Sequence, residues 1–436
     1  MNKKLLLAGL AGILSLATAC KKDDPSPKPT PTPQPGFTIE AKTTDLLQFD
    51  TVRLSAQGAK DDAKLSWVIN GKEVGEGKDY AFTQPRVGRY QVSLVDKTSG
   101  EKVSKDFSVT ARFTSGAFLL NEGNFGNETG TLTYIDASKQ FVLDSAYIRV
   151  NGTKLGNVCQ DMTFANGKVY IISQNGPKNG GEGLLTIADA KTLEKHKVIN
   201  DATLAKDWPT HIAVVHSRIY LRGNSGIYRG TEEGGFKLIP GTEQANKLRM
   251  VTIGELVIAT TSTNKLLVIQ DEEVKQTFTL PEGSPSGLAL APDGQLWLSY
   301  SKPNTLAKVS VSASGVKILD KHTTTQSLDK QWTATSAIFA RANQIFFTEQ
   351  SSVIYRHDFS TGETKEIVDV QKVDKQAKMY YNSLGIDPKT GHIYYASFGD
   401  YSTYKQNVTL VLDHDGKVLL KREHVNAFPA GFYFIP

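Results

Sequence analysis

Six copies of one strand–turn–strand pattern constrain the fold of this chain more than any other feature. Each copy has a strand of alternating apolar and polar residues, a tight turn and a second alternating strand, and the copies begin 38 to 50 residues apart. They lie at residues 162–173, 211–222, 249–260, 287–299, 337–348 and 384–397. Repeats of four strands at about 40–50 residues are typical of a β-propeller. The chain is therefore predicted to be all-β.

The two ends of the repeat region supply a seventh copy in two pieces. GAFLLNEG (116–123) has the pattern of a second strand, and third and fourth strands are predicted at 130–136 and 140–146. The missing first strand is AGFYFIP (430–436). Pairing these pieces would close a ring and leave no free sheet edge. We predict a seven-bladed β-propeller over residues 116–436, closed by N- and C-terminal strands in one blade.

Residues 37–112 are predicted to form a separate β-sandwich. Turns are expected at Asn70-Gly71 and Ser99-Gly100, where glycine permits a positive φ. Trp67, on a central strand, and the alternating residues after Gly88 resemble the Ig-like PKD domains of cell-surface proteins. The resemblance implies a spacer or stalk with Trp67 in its core. The candidate strands are 52–56, 64–70, 80–83, 90–96 and 105–111.

The N-terminus has the pattern of an export signal. It reads MNKKLLLAGLAGILSLATAC, with an apolar run that is too short for a permanent transmembrane helix. Residues 16–20 resemble a lipobox, which implies a signal peptide at 1–19, lipidation of Cys20 and membrane attachment through the N-terminal lipid. A plain signal peptide with a chance cysteine is the alternative.

Residues 20–36 continue from the lipidated cysteine into a tag and a linker. Lys21-Lys22-Asp23-Asp24 is similar to the export tag of Bacteroides-type surface lipoproteins. The proline-rich stretch that follows favours an extended polyproline II spacer. These features predict an outer-membrane, lipid-anchored protein that faces the cell exterior.

Charge and cysteine content narrow the possible partners. The net charge is +5, but no basic run accompanies it, which argues against nucleic acid as a partner. Cys159 is the only cysteine besides Cys20, so lipidation of Cys20 would exclude an intrachain disulfide. Cys159 is expected to be a buried structural thiol.

One face of the predicted propeller collects the candidate binding residues. The loops after each second strand and the connections between blades open on the same face, and they combine aromatic rings with amides and carboxylates. Such a combination is typical of a small-molecule site. Trp208 and Trp332 could instead fill gaps between blades. The predicted ligand-binding residues are Asn121, Glu122, Asn124, Phe125, Gln174, Asn175, Trp208, Arg222, Asn224, Tyr300, Trp332, Glu349, Gln350, Tyr380, Tyr381, Phe398, Asp400, Tyr401 and Phe428.

Enzymatic chemistry has little support in the sequence. The spacing of Gly123, Gly126 and Gly130 does not match GxGxxG, and no helix is expected after them, so a phosphate loop is excluded. No HExxH, GxSxG or cofactor motif is found, so we predict no catalytic residues, no bound metal and no cofactor. A hydrolase or lactonase built on Glu122, Glu349 and Asp400 remains an alternative.

The opening of the propeller region also resembles a known family. FLLNEGNFGNETGTLTYID (118–136) looks like the start of the YncE-like surface propellers known as DUF5074 in Bacteroides-type lipoproteins. This group is similar to the BtuG-type cobalamin-binding lipoproteins. The resemblance implies capture of vitamin B12 or another corrinoid, as transported ligand, and its transfer to a TonB-dependent outer-membrane transporter. A different ligand, or a scaffold or adhesin that binds a protein or glycan, remains the alternative.

Overall fold

The structure is a computed structural model that describes residues 36–329, 336–349, 351–380, 382–425 and 428–436. The predictions for the signal peptide, Cys20 and the linker up to residue 35 lie outside these ranges. Strands dominate the described residues, in two units joined at residues 111–116. Among the same residues, no helix is long and apolar enough to cross a membrane.

The N-terminal unit has two sheets that share one hydrophobic core. Trp67 and Phe82 are fully buried in this core, and the Trp67 indole donates a hydrogen bond to the Gly77 carbonyl at 2.9 Å. The three-stranded sheet has the order β1-β3-β6, and the five-stranded sheet has the order β2-β8-β7-β4-β5. The strands are β1 (Thr38–Ala41), β2 (Asp45–Leu47), β3 (Thr51–Gln57), β4 (Leu65–Ile69), β5 (Lys72–Glu76), β6 (Asp79–Thr83), β7 (Gly88–Asp96) and β8 (Lys102–Thr110).

The five strands predicted in this unit correspond to β3, β4, β6, β7 and β8, and the tight turns at Asn70-Gly71 and Gly100 adopt positive φ. Three further strands, β1, β2 and β5, were not predicted. β5 reads KEVGE and is almost entirely exposed, because it is the edge strand of its sheet. An edge strand without a buried face has no alternating pattern that would reveal it.

The second unit contains, within the described residues, seven four-stranded antiparallel sheets. Six follow the chain order, each beginning with one of the paired strands found in the sequence. Their strands are β12 (Asn157–Ala165), β13 (Lys168–Gly176), β14 (Leu185–Asp189) and β15 (Lys195–Ile199); β16 (His211–Val215), β17 (Arg218–Gly223), β18 (Gly226–Thr231) and β19 (Gly234–Leu238); β20 (Val251–Ile253), β21 (Leu256–Thr260), β22 (Lys265–Gln270) and β23 (Glu273–Thr279); β24 (Ser284–Leu290), β25 (Leu296–Ser301), β26 (Thr305–Ser312) and β27 (Gly315–Thr323); β28 (Ile338–Arg341), β29 (Gln344–Phe347), β30 (Val353–Asp358) and β31 (Glu363–Asp369); and β32 (Leu384–Ile386), β33 (Ile393–Phe398), β34 (Gln406–Leu412) and β35 (Val418–Val425).

The seventh sheet joins the two ends of the region. Its order is β11-β10-β9-β36, from β9 (Ala117–Asn121), β10 (Thr131–Ile135), β11 (Val142–Leu143) and β36 (Pro429–Phe434). β36 pairs antiparallel with β9, Phe432 opposite Leu119, as expected from the sequence.

The fourth strand of this sheet is shorter than predicted. β11 has only two residues, and the chain enters α1 (Ala146–Asn151) where residues 144–146 were expected to continue the strand. Ala146 and Tyr147 of this helix are buried and the helix contacts β10, so it lies against the strand that the short β11 leaves partly unpaired.

The innermost strands form a closed cycle. β12, β16, β20, β24, β28, β32 and β36 each contact the innermost strand of the next sheet, and β36 contacts β12 in turn. This is the arrangement of a β-propeller. Clusters of buried apolar residues fill the spaces between neighbouring sheets. Two further helices, α2 (Ala202–Asp207) and α3 (Val370–Val373), lie in connections between sheets.

The N-terminal unit is docked against the propeller through specific contacts. The Gln48 side chain donates hydrogen bonds to the Pro85 carbonyl at 2.7 Å and to the Thr192 carbonyl at 3.0 Å. Phe113 is fully buried, and its ring lies 4.9 Å from that of Tyr134 and 6.4 Å from that of Phe49. Thr192 belongs to a turn between third and fourth strands. The docking surface is therefore at the end of the propeller opposite the loops that follow the second strands.

Candidate ligand-binding site

A cavity of about 650 Å³ opens at the end of the propeller that carries the second-to-third-strand loops and the connections between sheets. Ligand pockets in proteins commonly have volumes of about 300–1,000 Å³. We call this space the mouth cavity. It is lined by Glu122, Gly123, Asn124, Phe125, Val158, Gln160, Gln174, Trp208, Thr210, Asn224, Lys247, Tyr401 and Phe428.

One side of the mouth cavity is formed by an exposed aromatic pair. Phe125 lies on the loop between β9 and β10, and Trp208 ends α2 in a left-handed backbone conformation with φ of 52°. Their ring centroids are 6.0 Å apart at an angle of 60°, and the two side chains are 49% and 45% exposed. The Lys178 ammonium lies 4.1 Å from the centre of the Phe125 ring. Large apolar rings held open to solvent are suited to cover the flat face of a ligand.

A second aromatic group borders the cavity. Phe428 contacts three rings: Tyr401 at 5.6 Å, Tyr404 at 4.7 Å and, below them, Phe398 at 5.6 Å. Phe398 is almost fully buried, whereas Tyr401 is exposed. The buried ring therefore supports a rim whose outer rings remain available for contact.

The floor of the mouth cavity carries a carboxyl group and an ammonium group. Burial raises the pKa of Glu122 to about 8, although the positive charge of Lys247 and a hydrogen bond from Gln160 oppose the shift. Burial likewise lowers the pKa of Lys247, against the attraction of Glu122. Neither side chain forms an ion pair within 4 Å in the described part of the chain. The Lys247 ammonium can therefore donate to a ligand, while the Glu122 carboxyl is shared with Gln160.

Buried amides hold the Phe125 loop in place. The Asn157 side-chain nitrogen donates to the backbone carbonyl of Asn124 at 2.8 Å and to that of Glu128. Asn175 donates to the Asn157 side-chain oxygen at 2.7 Å. Lys405 pairs with Glu128 and so connects this loop to the loop that carries Tyr401. Asn175 thus holds Asn157, and through it the Phe125 loop, in place but does not line the mouth cavity.

Arg222 stands behind the polar wall near Asn224. Its Nε donates to the Ala245 carbonyl at 3.2 Å, and one terminal nitrogen lies 3.4 Å from the Asn224 side-chain oxygen. Burial lowers the pKa of Arg222, and the negative charge of Asp207 opposes this shift. Arg222 can therefore orient Asn224, which lines the cavity with Gln174.

Eight of the predicted residues line the mouth cavity: Glu122, Asn124, Phe125, Gln174, Trp208, Asn224, Tyr401 and Phe428. Others are placed elsewhere. Asn121 is buried and bonds to Thr131 and Thr133 within its own sheet. Asp400 accepts hydrogen bonds from Ser402 and Thr403 and thereby stabilises its own turn.

The prediction that Tyr300 lies in a loop on the mouth face is wrong. Tyr300 is a residue of β25 and is fully buried in a core cluster between sheets. Tyr380 bonds through its hydroxyl to Ala377, and Glu349 accepts a hydrogen bond from the Ser327 backbone at 2.9 Å. Neither lines the cavity. Trp332, Gln350 and Tyr381 lie outside the described residues.

Five lining residues were not predicted: Gly123, Val158, Gln160, Thr210 and Lys247. Gln160 and Val158 lie on β12, and Thr210 and Lys247 come shortly before first strands. Loop composition does not indicate the starts of the innermost strands, which border the central channel in a propeller. Polar residues at those starts are the signal that could have revealed them.

A metal centre finds no support in the described part of the chain, where no cluster of three or more His, Cys, Asp or Glu side chains could hold an ion. Glu122, Glu349 and Asp400 are accordingly not brought together as a lactonase-type site would require.

The fold and the cavity define a β-propeller with a solvent-open site on one end. Residues 115–435 match the profile of the domain of unknown function DUF5074. Because this match covers most of the chain, the protein belongs to the DUF5074 family. Residues 27–104 match the Penicillin-Binding Protein C-terminus Family. No curated protein matches the chain.

The chain resembles several solved structures, of which the first supports the fold. A quinonprotein alcohol dehydrogenase-like protein from Bacteroides thetaiotaomicron is 15% identical, with a TM-score of 0.60 over 92% of this chain and 99% of that one. AztD from Citrobacter koseri is 13% identical with a TM-score of 0.42, over 85% of this chain and 98% of that one. BamB from Moraxella catarrhalis is 12% identical with a TM-score of 0.41, over 73% and 92%. At such identities the first of these likenesses concerns the fold alone.

Proposed function

We propose that this chain is a cell-surface ligand-binding lipoprotein, a seven-bladed propeller carried on an Ig-like, PKD-like sandwich, that captures a nutrient in the mouth cavity. The observation that carries the proposal is the mouth cavity itself. It combines exposed aromatic rings with a floor of Glu122, Lys247 and Gln160. Apolar walls with a few convergent polar groups are the usual composition of a small-molecule site.

The proposed ligand is vitamin B12 or another corrinoid. A corrinoid is large and partly flat, and it carries amide side arms. The Phe125–Trp208 pair can cover an apolar face, while Gln160, Gln174 and Asn224 can exchange hydrogen bonds with amides. The LNEGNFG motif at 120–126 resembles the YncE-like surface propellers, a group similar to the BtuG-type cobalamin-binding lipoproteins, and this resemblance supports the same ligand.

Calorimetric titration of the purified protein with cyanocobalamin tests this proposal. We expect binding at micromolar ligand or below, weakened at least tenfold by Phe125→Ala. The matched control is Leu319→Ala, which removes an equally exposed apolar side chain from β27, away from the mouth cavity. Absence of binding at micromolar cyanocobalamin would rule out the corrinoid as ligand.

We further propose that the protein is anchored in the outer membrane through lipidated Cys20, faces the cell exterior and passes its ligand to a TonB-dependent transporter. The lipobox-like residues 16–20 and the tag at 21–24 support this location. Labelling with a fatty-acid analogue should be lost in Cys20→Ala, and added protease should degrade the wild-type protein on intact cells. Co-purification with a TonB-dependent transporter would test the partner.

A scaffold or adhesin is the second candidate. Phe125, Trp208 and Tyr401 are each about half exposed, and a cluster of exposed aromatic rings also suits a protein partner. In that case cyanocobalamin would not bind, and a captured protein partner would be released by the same Phe125→Ala substitution.

A further inference from the structure

A second cavity occupies the central channel at the end of the propeller opposite the mouth cavity. Its volume is about 330 Å³, and it is bordered by innermost strands and by the turns that contain Pro292 and Pro388. We call it the channel cavity. Its walls are mostly apolar and include Phe164, Leu290 and Phe339.

Three polar side chains from different sheets meet at the inner end of the channel cavity. Asp161 of β12 accepts a hydrogen bond from the Tyr433 hydroxyl at 2.7 Å and another from the Ile212 backbone at 3.1 Å. The Arg249 Nε lies 3.4 Å from the Asp161 carboxylate, and the Arg249 guanidinium lies 4.6 Å from the centre of the Tyr433 ring. One edge and one face of the guanidinium are therefore occupied by protein.

The Arg249 side chain lines the channel cavity and is 23% exposed. Within the described residues its Nε is a buried donor without a hydrogen-bond partner, although the Asp161 carboxylate lies 3.4 Å away. Gly431, at φ of 144°, leaves room beside one terminal nitrogen, where an added Cβ would lie at 3.1 Å. The guanidinium keeps partial solvent exposure, so a ligand that supplied acceptor oxygens could form charge-assisted hydrogen bonds with it from the channel cavity.

The charge of Asp161 does not close the site to an anion. Its two oxygens are already engaged by Tyr433, Ile212 and Arg249, and burial raises the pKa of this carboxyl, although Arg249 opposes the shift. The carboxyl thus holds the guanidinium in place on one side while the channel side remains able to donate.

We propose that the channel cavity is a second binding site, selective for a small carboxylate with an apolar body, in which Arg249 binds the carboxylate and the aromatic and aliphatic walls contact the rest. This site is separate from the mouth cavity and does not depend on the ligand proposed there. Arginine presents two parallel N–H groups that match the two oxygens of a carboxylate.

The test uses 3-phenylpropionate as the probe and saturation-transfer NMR as the measurement. We expect transfer to the probe with wild-type protein, and a dissociation constant raised at least tenfold in Arg249→Met, which keeps the length of the side chain but removes the charge. The uncharged analogue 3-phenylpropanol should bind wild type and Arg249→Met equally weakly. Trp208→Ala, which alters only the mouth cavity, should bind the probe as wild type does.

A second variant keeps the proposal testable if Arg249→Met fails to fold. Ala340 lines the channel cavity and is partly exposed, so Ala340→Phe fills the space without removing Arg249 or Asp161. It should also weaken probe binding at least tenfold. The proposal would be overturned if wild type showed no saturation transfer to 3-phenylpropionate at millimolar concentration. It would also be overturned if folded Ala340→Phe bound the probe as tightly as wild type does, or if Trp208→Ala lost binding of the probe.

Discussion

The rings of Phe125 and Trp208 meet edge to face at 6.0 Å, although one belongs to the loop after β9 and the other to the end of α2. Neither ring is buried, so their contact adds little to the core of either sheet. The pair instead joins the β9–β10 loop to the segment after α2 and forms one wall of the mouth cavity.

Trp208→Ala is therefore expected to weaken cyanocobalamin binding at least tenfold while the free energy of unfolding falls by only about 1 kcal/mol, the usual worth of an exposed aromatic pair. Calorimetry and urea denaturation measure the two effects. Trp297 provides the contrast, because it is fully buried and Trp297→Ala should cost about 3–5 kcal/mol of stability. If Trp208→Ala destabilises the protein as much as Trp297→Ala does, Trp208 is a packing residue.

Glu122 should make the stability of the protein depend on pH. Its pKa is about 8 in the folded protein against an ordinary 4.5, so the folded state holds the proton more tightly. The stabilisation is fully present below about pH 4.5 and is lost as the pH rises through about 8. Between pH 5 and 8.5, urea denaturation should show wild type losing on the order of 1–2 kcal/mol more than Glu122→Gln, because each pKa unit corresponds to about 1.4 kcal/mol and solvent screens this partly exposed carboxyl. Equal pH profiles of the two proteins would contradict the assignment.

Substitutions at the junction between the two units should strongly lower the free energy of unfolding. Phe113→Ala removes a fully buried ring that contacts Phe49, Phe118 and Tyr134, and it should cost about 3–5 kcal/mol of unfolding free energy. Phe125→Ala, the same change on the mouth face, serves as control and should cost less than about 1 kcal/mol. Differential scanning calorimetry compares them, and similar losses would show that Phe113 does not couple the units.

Cys159 should be inert in the folded protein. It is fully buried, and burial raises the pKa of its thiol, so the reactive thiolate is suppressed. In a Cys20→Ser protein, where Cys159 is the only thiol, iodoacetamide at pH 8 should label nothing until urea is added. Mass spectrometry measures the label, and rapid labelling without urea would show that the region around β12 opens readily.

The sequence predicted the paired strands well because two short runs rich in apolar residues flank a tight turn, which is a hairpin signal even where both faces are buried. β16 and β25, for example, are buried along their whole length, and β16 pairs with β17 with Ile212 opposite Leu221. The prediction failed where a similar stretch forms a helix. Residues 144–146 look like the end of a strand, yet Ala146 and Tyr147 are buried on one face of a helix.

The candidate site was predicted in part for a related reason. Loop composition identified Phe125, Trp208 and Tyr401, because exposed rings in loops are unusual and need an explanation. It could not identify Lys247 or Gln160, whose partner Glu122 lies far away in sequence. Nor could it tell that Tyr300, one residue before the end of β25, points into the core rather than out of the loop. Side-chain direction at a strand end depends on local register, which composition does not contain.

The docking of the N-terminal unit has a consequence for reach. At one end of this unit, the Gln48 side chain donates a hydrogen bond to Thr192 of the propeller. Near the other end, the Gly36 backbone donates a hydrogen bond to Glu101 in the turn after β7. β7 alone, with nine residues, spans roughly 25–30 Å at about 3.3 Å per residue. Gly36, the first residue that the structure describes, therefore lies toward the end of the N-terminal unit away from the docking surface, and the mouth cavity lies on the other side of the propeller from that surface. A lipoprotein anchored upstream of residue 36, as proposed above, would present its aromatic rim away from the membrane.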